Sequence, residues 1–414
     1  MKFNGLVYAS VLALASVTGR AETSFSDVVV NQRWPWSEKV DVDFTLTGDA
    51  TDVDVYATWD LLRGDDAPGV TNRVLLGTLP GATPGVNRFT WDPVKSAWSG
   101  LTLTGFSVSL AVSEAETRRY LVIDLADGGV SYRATPDGAN GRWSDAYKTT
   151  RMAFRRVPAG SYQLGMESNQ IAKVAGGPIN ASIATAWSRH DVTFTGDFYV
   201  SVYKMTVAQY NLLKGWEPGS DMTPKALAYD EIRGSVAEGV NWPRTGYDVS
   251  PTSIVASVRA KAGPDICVDL CQECQWEAAM RAGRTTFWPN GGTMDDSMAA
   301  LTNIVDEICW RGGTHDVGLK ADNGWGIYDP SGNGPEWALD TIAGGYTGST
   351  PKKGLSDGTD PVGASSDSPS CRVVRTDGAK SLHWLLPSYR RVYKHGESVA
   401  AARFCIHLKP LVAQ

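Results

Sequence analysis

The chain has 414 residues, 42% hydrophobic and 20% charged, a balance that excludes a disordered polymer and predicts two or three domains at this length. Glycine (43) and proline (21) are both abundant, which argues against a helix bundle and for a strand-rich, loop-rich protein. A net charge of −6 without any basic block excludes the electrostatic footprint needed for nucleic acid or an anionic membrane.

Lys2 precedes an apolar run over 5–17 (GLVYASVLALASV), and Gly19 and Ala21 stand three and one before a cut after Ala21. This pattern predicts a secretory signal peptide over 1–21 and a secreted, periplasmic or cell-surface location. The run is shorter than the ~20 residues of a membrane span, and no second candidate follows. All six cysteines (Cys267, Cys271, Cys274, Cys309, Cys371 and Cys405) lie in the second half, where export would allow disulfides to persist.

Residues 22–132 alternate apolar and polar side chains in short runs: VDVDFTL (40–46), DVDVYATW (52–59), RVLLG (73–77), NRFTW (87–91), FSVSLAV (106–112) and RYLVIDL (119–125). Period two with turn residues between runs predicts an antiparallel β-sandwich of immunoglobulin-like type. Asp41, Asp43, Asp52 and Asp54 alternate with valine, which assigns them to a solvated strand face rather than a metal cluster.

Residues 133–150 are polar and aperiodic and read as a linker, so the second domain is expected over 151–414. Thr206 and Gln209 spell a capping box for its first helix, which Gly215 ends. A second helix has Ser250 as N-cap, Pro251 in the first turn, Ile254 and Val258 on one face and Gly263 as stop. A third covers about 273–282, with Trp276, Ala279 and Met280 buried and Gly283 behind it. Regular patterning then thins until strands near 371–375 and 402–408, and 343–370 is a Gly/Ser/Asp/Pro-rich loop.

Several segments of the second domain stand in a telling order: FRRVPAGSYQLGM (154–166), RHDVTFTGDFYVSVYKMTVAQYNLL (189–213), DLCQECQWEAAMRAG (269–283), HDVGLKADNGWGIYDPSGNGPEW (315–337), RVVR (372–375) and AARFCIHL (401–408). Together they resemble the formylglycine-generating enzyme, or sulfatase-modifying factor, family over about 151–410. The resemblance implies an α+β protein whose second domain has a loop-rich fold related to C-type lectins, with structural calcium. By position the calcium ligands would be the side chains of Asp329 and Glu336 and the carbonyls of Gly332 and Gly334. An oxygen-rich turn with interleaved glycines suits a hard cation. The family's other calcium site would begin at Asn303-Ile304, but its remaining ligands do not align.

Oxidases of this family hold copper(I) with two cysteines shortly after the strand that resembles RVVR. In RVVRTDGAKSLHWLLPSYRR (372–391) those places hold Ser381 and Leu386, and neither side chain can replace a soft thiolate. Copper is therefore not expected. Pro335, Asp269 and Cys271 are further departures from the family pattern. Cys267, Cys271 and Cys274 have the CxxxCxxC spacing of an iron–sulfur loop, but local disulfides or buried thiols are the expected reading. Of five histidines only His315 and His383 invite inspection, and both read as packing or surface residues.

The expectation is a secreted, calcium-stabilised, non-oxidase module that binds a protein, peptide or glycan. The alternatives are an active divergent formylglycine-generating or related metal-dependent oxidase, and a lectin-like carbohydrate binder that stacks sugars on tryptophan.

Overall fold

The computed structural model describes residues 2–3, 8–11, 24–48, 51–61, 70–92, 102–113, 118–177, 188–341, 358–363, 371–376 and 381–407. Two units form, Met1–Arg118 and Arg119–Gln414. The first contains β1 (Lys2–Phe3), β2 (Tyr8–Val11), β3 (Ser24–Gln32), β4 (Val40–Thr47), β5 (Thr51–Leu61), β6 (Val70–Ala82), β7 (Gly85–Trp91) and β8 (Thr102–Val112). One sheet runs β1-β8-β5-β6, with β2 also along β8, and the other runs β3-β4-β7. Alternation aims Val40, Val42, Phe44 and Leu46 of β4, Val53 and Val55 of β5, and Phe106, Val108 and Leu110 of β8 into one apolar cluster, so the two sheets share a core. Most of the predicted leader lies outside the described residues.

The aspartates differ from expectation. Asp41 is buried and accepts from Arg33 Nε and Nη2, both at 2.8 Å, and from Thr90 Oγ1 at 2.7 Å. Asp54 is buried and accepts from Thr78 Oγ1 at 2.6 Å. Neighbouring segments lay donors over them, so they are paired rather than solvated, while Asp43 keeps an exposed pair with Arg88.

The second unit begins earlier than the alternation suggested. Its first strands are β9 (Tyr120–Asp124) and β10 (Val130–Arg133), followed by β11 (Arg151–Val157). The β9 register against β11 runs from Arg151 opposite Asp124 to Arg155 opposite Tyr120. Period two announces a strand but not the sheet it joins, so RYLVIDL, which alternates like the strands of the first unit, pairs within the second. Residues 133–150 are likewise packed rather than a free linker. Trp143 and Tyr147 are buried, Trp143 meets Tyr120 edge-on at 4.9 Å, and the Tyr147 carbonyl accepts from Gln209 Nε2 at 3.1 Å.

Next come β12 (Gly160–Leu164), α1 (Ser168–Ala175), β13 (His190–Phe194), β14 (Phe198–Ser201), α2 (Val207–Leu213), β15 (Ala226–Leu227), α3 (Tyr229–Arg233), α4 (Ile254–Ala262), β16 (Cys267–Leu270), α5 (Glu273–Arg281) and α6 (Met298–Ile308). The chain closes with β17 (Glu336–Trp337), β18 (Gly358–Thr359), β19 (Cys371–Arg375), β20 (Arg390–Lys394), β21 (Ala400–Ala402) and β22 (Phe404–His407). The main sheet runs β10-β9-β11-β14-β22-β16, a second runs β15-β21-β17-β19-β20, and a third β12-β13-β18. Both faces of the main sheet are covered. Tyr199, Phe404 and Ile406 enter one apolar cluster, whereas Phe198, Val200 and Cys405 enter another.

Thr206 caps α2 as predicted, accepting from Gln209 N at 3.1 Å while Gln209 Oε1 accepts from Thr206 N at 3.1 Å. The α4 cap is Ser253, not Ser250. Its hydroxyl accepts from Ala256 N at 3.1 Å, and Ser250 to Ser253 form a preceding turn closed by Ser253 N donating to Ser250 O at 3.0 Å. Replacing Ser253 by alanine is expected to lower stability by about 1 kcal/mol, measurable by urea unfolding, whereas Ser250→Ala leaves the cap intact. Helix α5 is buried on every side, charged residues included, and Ala282 itself takes the left-handed position, with φ 49°. Helices α1 and α6 were not anticipated, although Ser297 caps α6 through Ala300 N at 3.1 Å.

Most of the 343–370 loop lies outside the described residues. No disulfide joins the cysteines among the described residues, so of the two expected readings the structure shows buried thiols rather than disulfides. Cys271 faces Arg403 O at 3.7 Å and Cys405 faces Gln275 Oε1 at 3.7 Å, and these two thiols are also neighbours of one another.

Candidate functional site

The segment YDPSGNGPEW folds into a tight turn leading into β17. Asp329 and Asn333 adopt φ of 49° and 52°, and Gly332 and Gly334 adopt 69° and 88°. A side chain on Gly332 would collide with the Trp310 carbonyl, so glycine is needed there for close approach as well as for φ. Asn333 pins the turn to the preceding loop, accepting from His315 N at 2.8 Å and donating to His315 O at 3.0 Å. The His315 ring stacks on Trp310 at 3.9 Å, a packing role.

The turn closes around a lysine. Lys204, just beyond β14, donates from Nζ to Gly332 O and Gly334 O, each at 2.6 Å, and sits 3.0 Å from Glu336 Oε1. Arg403, between β21 and β22, grips the same carboxylate, with Nε 2.9 Å from Oε2 and Nη2 3.1 Å from Oε1. It also donates to the carbonyls of Ser201 and Tyr328 at 2.9 Å and of Asp329 at 3.2 Å. Trp276 Nε1 completes the shell on Glu336 Oε2 at 2.5 Å. Lys204, Glu336 and Arg403 are all fully buried. Burial pushes the Glu336 carboxyl up, but Arg403 and Lys204 outweigh it and hold the group down at about 2. Burial raises Asp329, whose Oδ2 accepts from Gly318 N at 2.9 Å.

Asp329, Gly332, Gly334 and Glu336 therefore do come together, but three of the four converge on an ammonium. The expected calcium set does not fit these side chains. Both carbonyls are taken by Lys204, and the Glu336 carboxylate already receives four donors, as many as its lone pairs accommodate. The Asn303-Ile304 pair lies within α6, where the Ile304 carbonyl accepts from Asn290 Nδ2 at 2.7 Å. Among the described residues no group of three His, Cys, Asp or Glu is placed to hold a metal ion, and this includes the CxxxCxxC thiols.

A second charged layer lies alongside. Arg375 Nη1 meets Glu273 Oε1 at 2.5 Å and Nη2 meets Glu277 Oε2 at 2.7 Å. Arg281 Nε and Gly165 N share Glu277 Oε1 at 2.7 and 2.8 Å, and Arg390 Nη1 reaches Glu273 Oε1 at 3.1 Å. Against the upward push of burial, Arg281 and Arg375 hold the Glu277 carboxyl at about 2. Asp269, which departs from the family arginine, is buried and accepts from Arg233 Nε and Nη2 at 2.7 and 2.9 Å.

The positions of the copper thiols lie after β19. Ser381 is exposed at the start of a 3-10 turn over Leu382–Leu385. Leu386 is fully buried in an apolar cluster with Phe287, Trp288, Leu301 and Leu385, and Trp288 Nε1 donates to Leu385 O at 3.0 Å. Cys309 belongs to this cluster too, but it is a single thiol whose pKa burial pushes up. Cys371 sits opposite Lys394, at the far end of the β19-β20 pair from the 376–389 connection. The half-buried Arg391 guanidinium lies 4.5 Å from the ring centroid of Trp384, itself half-buried, and burial with Arg391 nearby lowers the pKa of His383. Among the described residues Trp91, Trp143, Trp242, Trp276, Trp288 and Trp337 are core residues. Among the described residues the exposed tryptophans are Trp34, Trp36 and Trp216.

Residues 142–398, well over half of the chain, match the FGE-sulfatase family model, the sulfatase-modifying factor enzyme 1-like domain. The chain belongs to this family. Two solved structures are similar to the FGE-sulfatase chain described here. PvdO from Pseudomonas aeruginosa is 17% identical with a TM-score of 0.42, over 62% of this chain and 94% of that one. Treponema denticola variable protein 1 is 19% identical with a TM-score of 0.40, over 63% and 96% respectively. No curated protein matches. Among the described residues no helix is long and apolar enough to cross a membrane.

The sequence reading missed Lys204 as a partner of the turn. Its only signal was a lysine between Tyr203 and Met205 in a run otherwise reading as core.

Proposed function

We propose that this FGE-sulfatase domain is a non-oxidase binding module of an exported protein, preceded by an immunoglobulin-like sandwich, with a protein, peptide or glycan as its ligand. One observation carries the reading. Leu386 is a core residue beside Trp288 and Ser381 is a solvent-facing hydroxyl, where copper(I) would require two adjacent thiolates. The other cysteines do not stand in for them at that place: Cys371 is a strand length away, Cys309 is a single thiol, and the neighbouring Cys271, Cys274 and Cys405 belong to a different cluster from Leu386.

The test is a mass-spectrometric assay of the full chain with a CxPxR peptide, copper(I) and oxygen. The peptide is expected to return with its cysteine intact, and accumulation of formylglycine would sink the proposal. Binding is tested separately on peptide and glycan arrays, with Trp384→Ala, which removes a half-buried ring, as the first variant. Removing this ring also removes the platform under Arg391, so weakened capture by an otherwise folded protein is the expected result.

A further inference from the structure

The turn that this fold offers to a divalent cation is filled from within. We propose that the Lys204 ammonium is a built-in cation that takes the place of a metal ion in the 329–336 turn, so that this domain assembles and holds the turn without calcium. The inference concerns the scaffold and stands apart from the binding proposal.

Coordination chemistry supports it. An ammonium has three N–H donors, and Lys204 Nζ meets three oxygens, Gly332 O, Gly334 O and Glu336 Oε1, at 2.6, 2.6 and 3.0 Å. The shell contains acceptors only, which suits the protonated amine and leaves none of its hydrogens idle. Calcium needs six to eight oxygens at about 2.3–2.6 Å, and it could reach these three only by expelling the amine from a site with no exposure to solvent. Expulsion would also strand a lysine in the core. The charges agree with the geometry. Lys204 and Arg403 already bring two positive charges to the Glu336 carboxylate, so a divalent ion added beside them would face uncompensated repulsion in a buried setting. Asp329 does not alter this: its Oδ2 accepts from Gly318 N, and its Oδ1, buried and without a hydrogen-bond partner among the described residues, is a single oxygen where calcium needs six to eight.

The anchoring is also sound mechanically. Lys204 stands three residues beyond the end of β14, and the main chain beside it is fixed by Met205 N donating to Ala402 O and Lys225 N to Met205 O, both at 2.9 Å. The ammonium thus links the main sheet to the turn entering β17, which is the structural task of a bridging ion.

The test uses the full chain and calcium itself. Thermal unfolding is recorded in millimolar calcium and in chelator, with isothermal titration of calcium into the folded protein. The same transition in both media and no stoichiometric heat are expected. A transition raised by calcium, or saturable binding lost in Glu336→Gln, would overturn the proposal. Lys204→Met keeps the length of the side chain and removes the charge. It is expected to lower the folding equilibrium constant by more than about a hundredfold in both media, and failure of this variant to fold agrees with that expectation. Parent-like stability of Lys204→Met would also overturn the proposal, because the ammonium would then hold nothing.

Discussion

Replacing Glu336 by glutamine is expected to lower the unfolding free energy by about 3–5 kcal/mol, equally in calcium and in chelator. The carboxylate receives Lys204 Nζ, Arg403 Nε and Nη2, and Trp276 Nε1. Glutamine keeps the volume but removes the charge and replaces one acceptor oxygen with a donor NH2 group. That group would face either the ammonium and guanidinium or the guanidinium and indole, a donor against donors. Two buried cations then lose the carboxylate that both contact and keep only the more distant Asp329 as an acidic neighbour, an arrangement in which loss of one partner is strongly damaging. Urea unfolding followed by tryptophan fluorescence measures it, since Trp276 touches the carboxylate and reports on the site. A loss below about 1 kcal/mol would mean that the network is not what holds the turn. A loss confined to calcium would restore Glu336 as a metal ligand and remove Lys204 from the argument.

The legible parts of this molecule were those written in local chemistry. The α2 capping box needs only Thr206 and Gln209 three positions apart on the chain, and Gly263 ends α4 whatever surrounds it. Helix α6 was legible in principle, because Ser297 precedes Leu301, Val305 and Ile308 at four- and three-residue spacing and all three are buried. What the local signals could not carry was pairing. The alternation of β9 looks like that of the first unit, yet its partner is β11. The same limit explains the site. Asp329, Gly332, Gly334 and Glu336 lie together on the chain and were found together, but the cations that claim them come from positions 204 and 403. A motif states which oxygens converge, and only the fold states on what.

Arg375→Met is expected to remove about 3–5 kcal/mol at neutral pH and progressively less as the pH falls. Arg375 is fully buried and divides its guanidinium between Glu273 and Glu277. In the parent, Glu277 titrates at about 2 when folded against an ordinary value of 4.5. A carboxyl depressed on folding contributes stability that is fully present above about 4.5 and is lost as the pH falls through 2, here on the order of 3 kcal/mol. Without Arg375 the Glu277 carboxyl keeps Arg281 and Gly165 N but loses one of the two cations that oppose burial, so its folded pKa rises. The variant therefore has less of this contribution to lose, and acid costs it less than it costs the parent. Urea midpoints measured from pH 7 to pH 3 should draw together. Parallel curves would show that Arg375 acts through packing against the Trp276 ring, 5.0 Å from its guanidinium, rather than through the charge of Glu277.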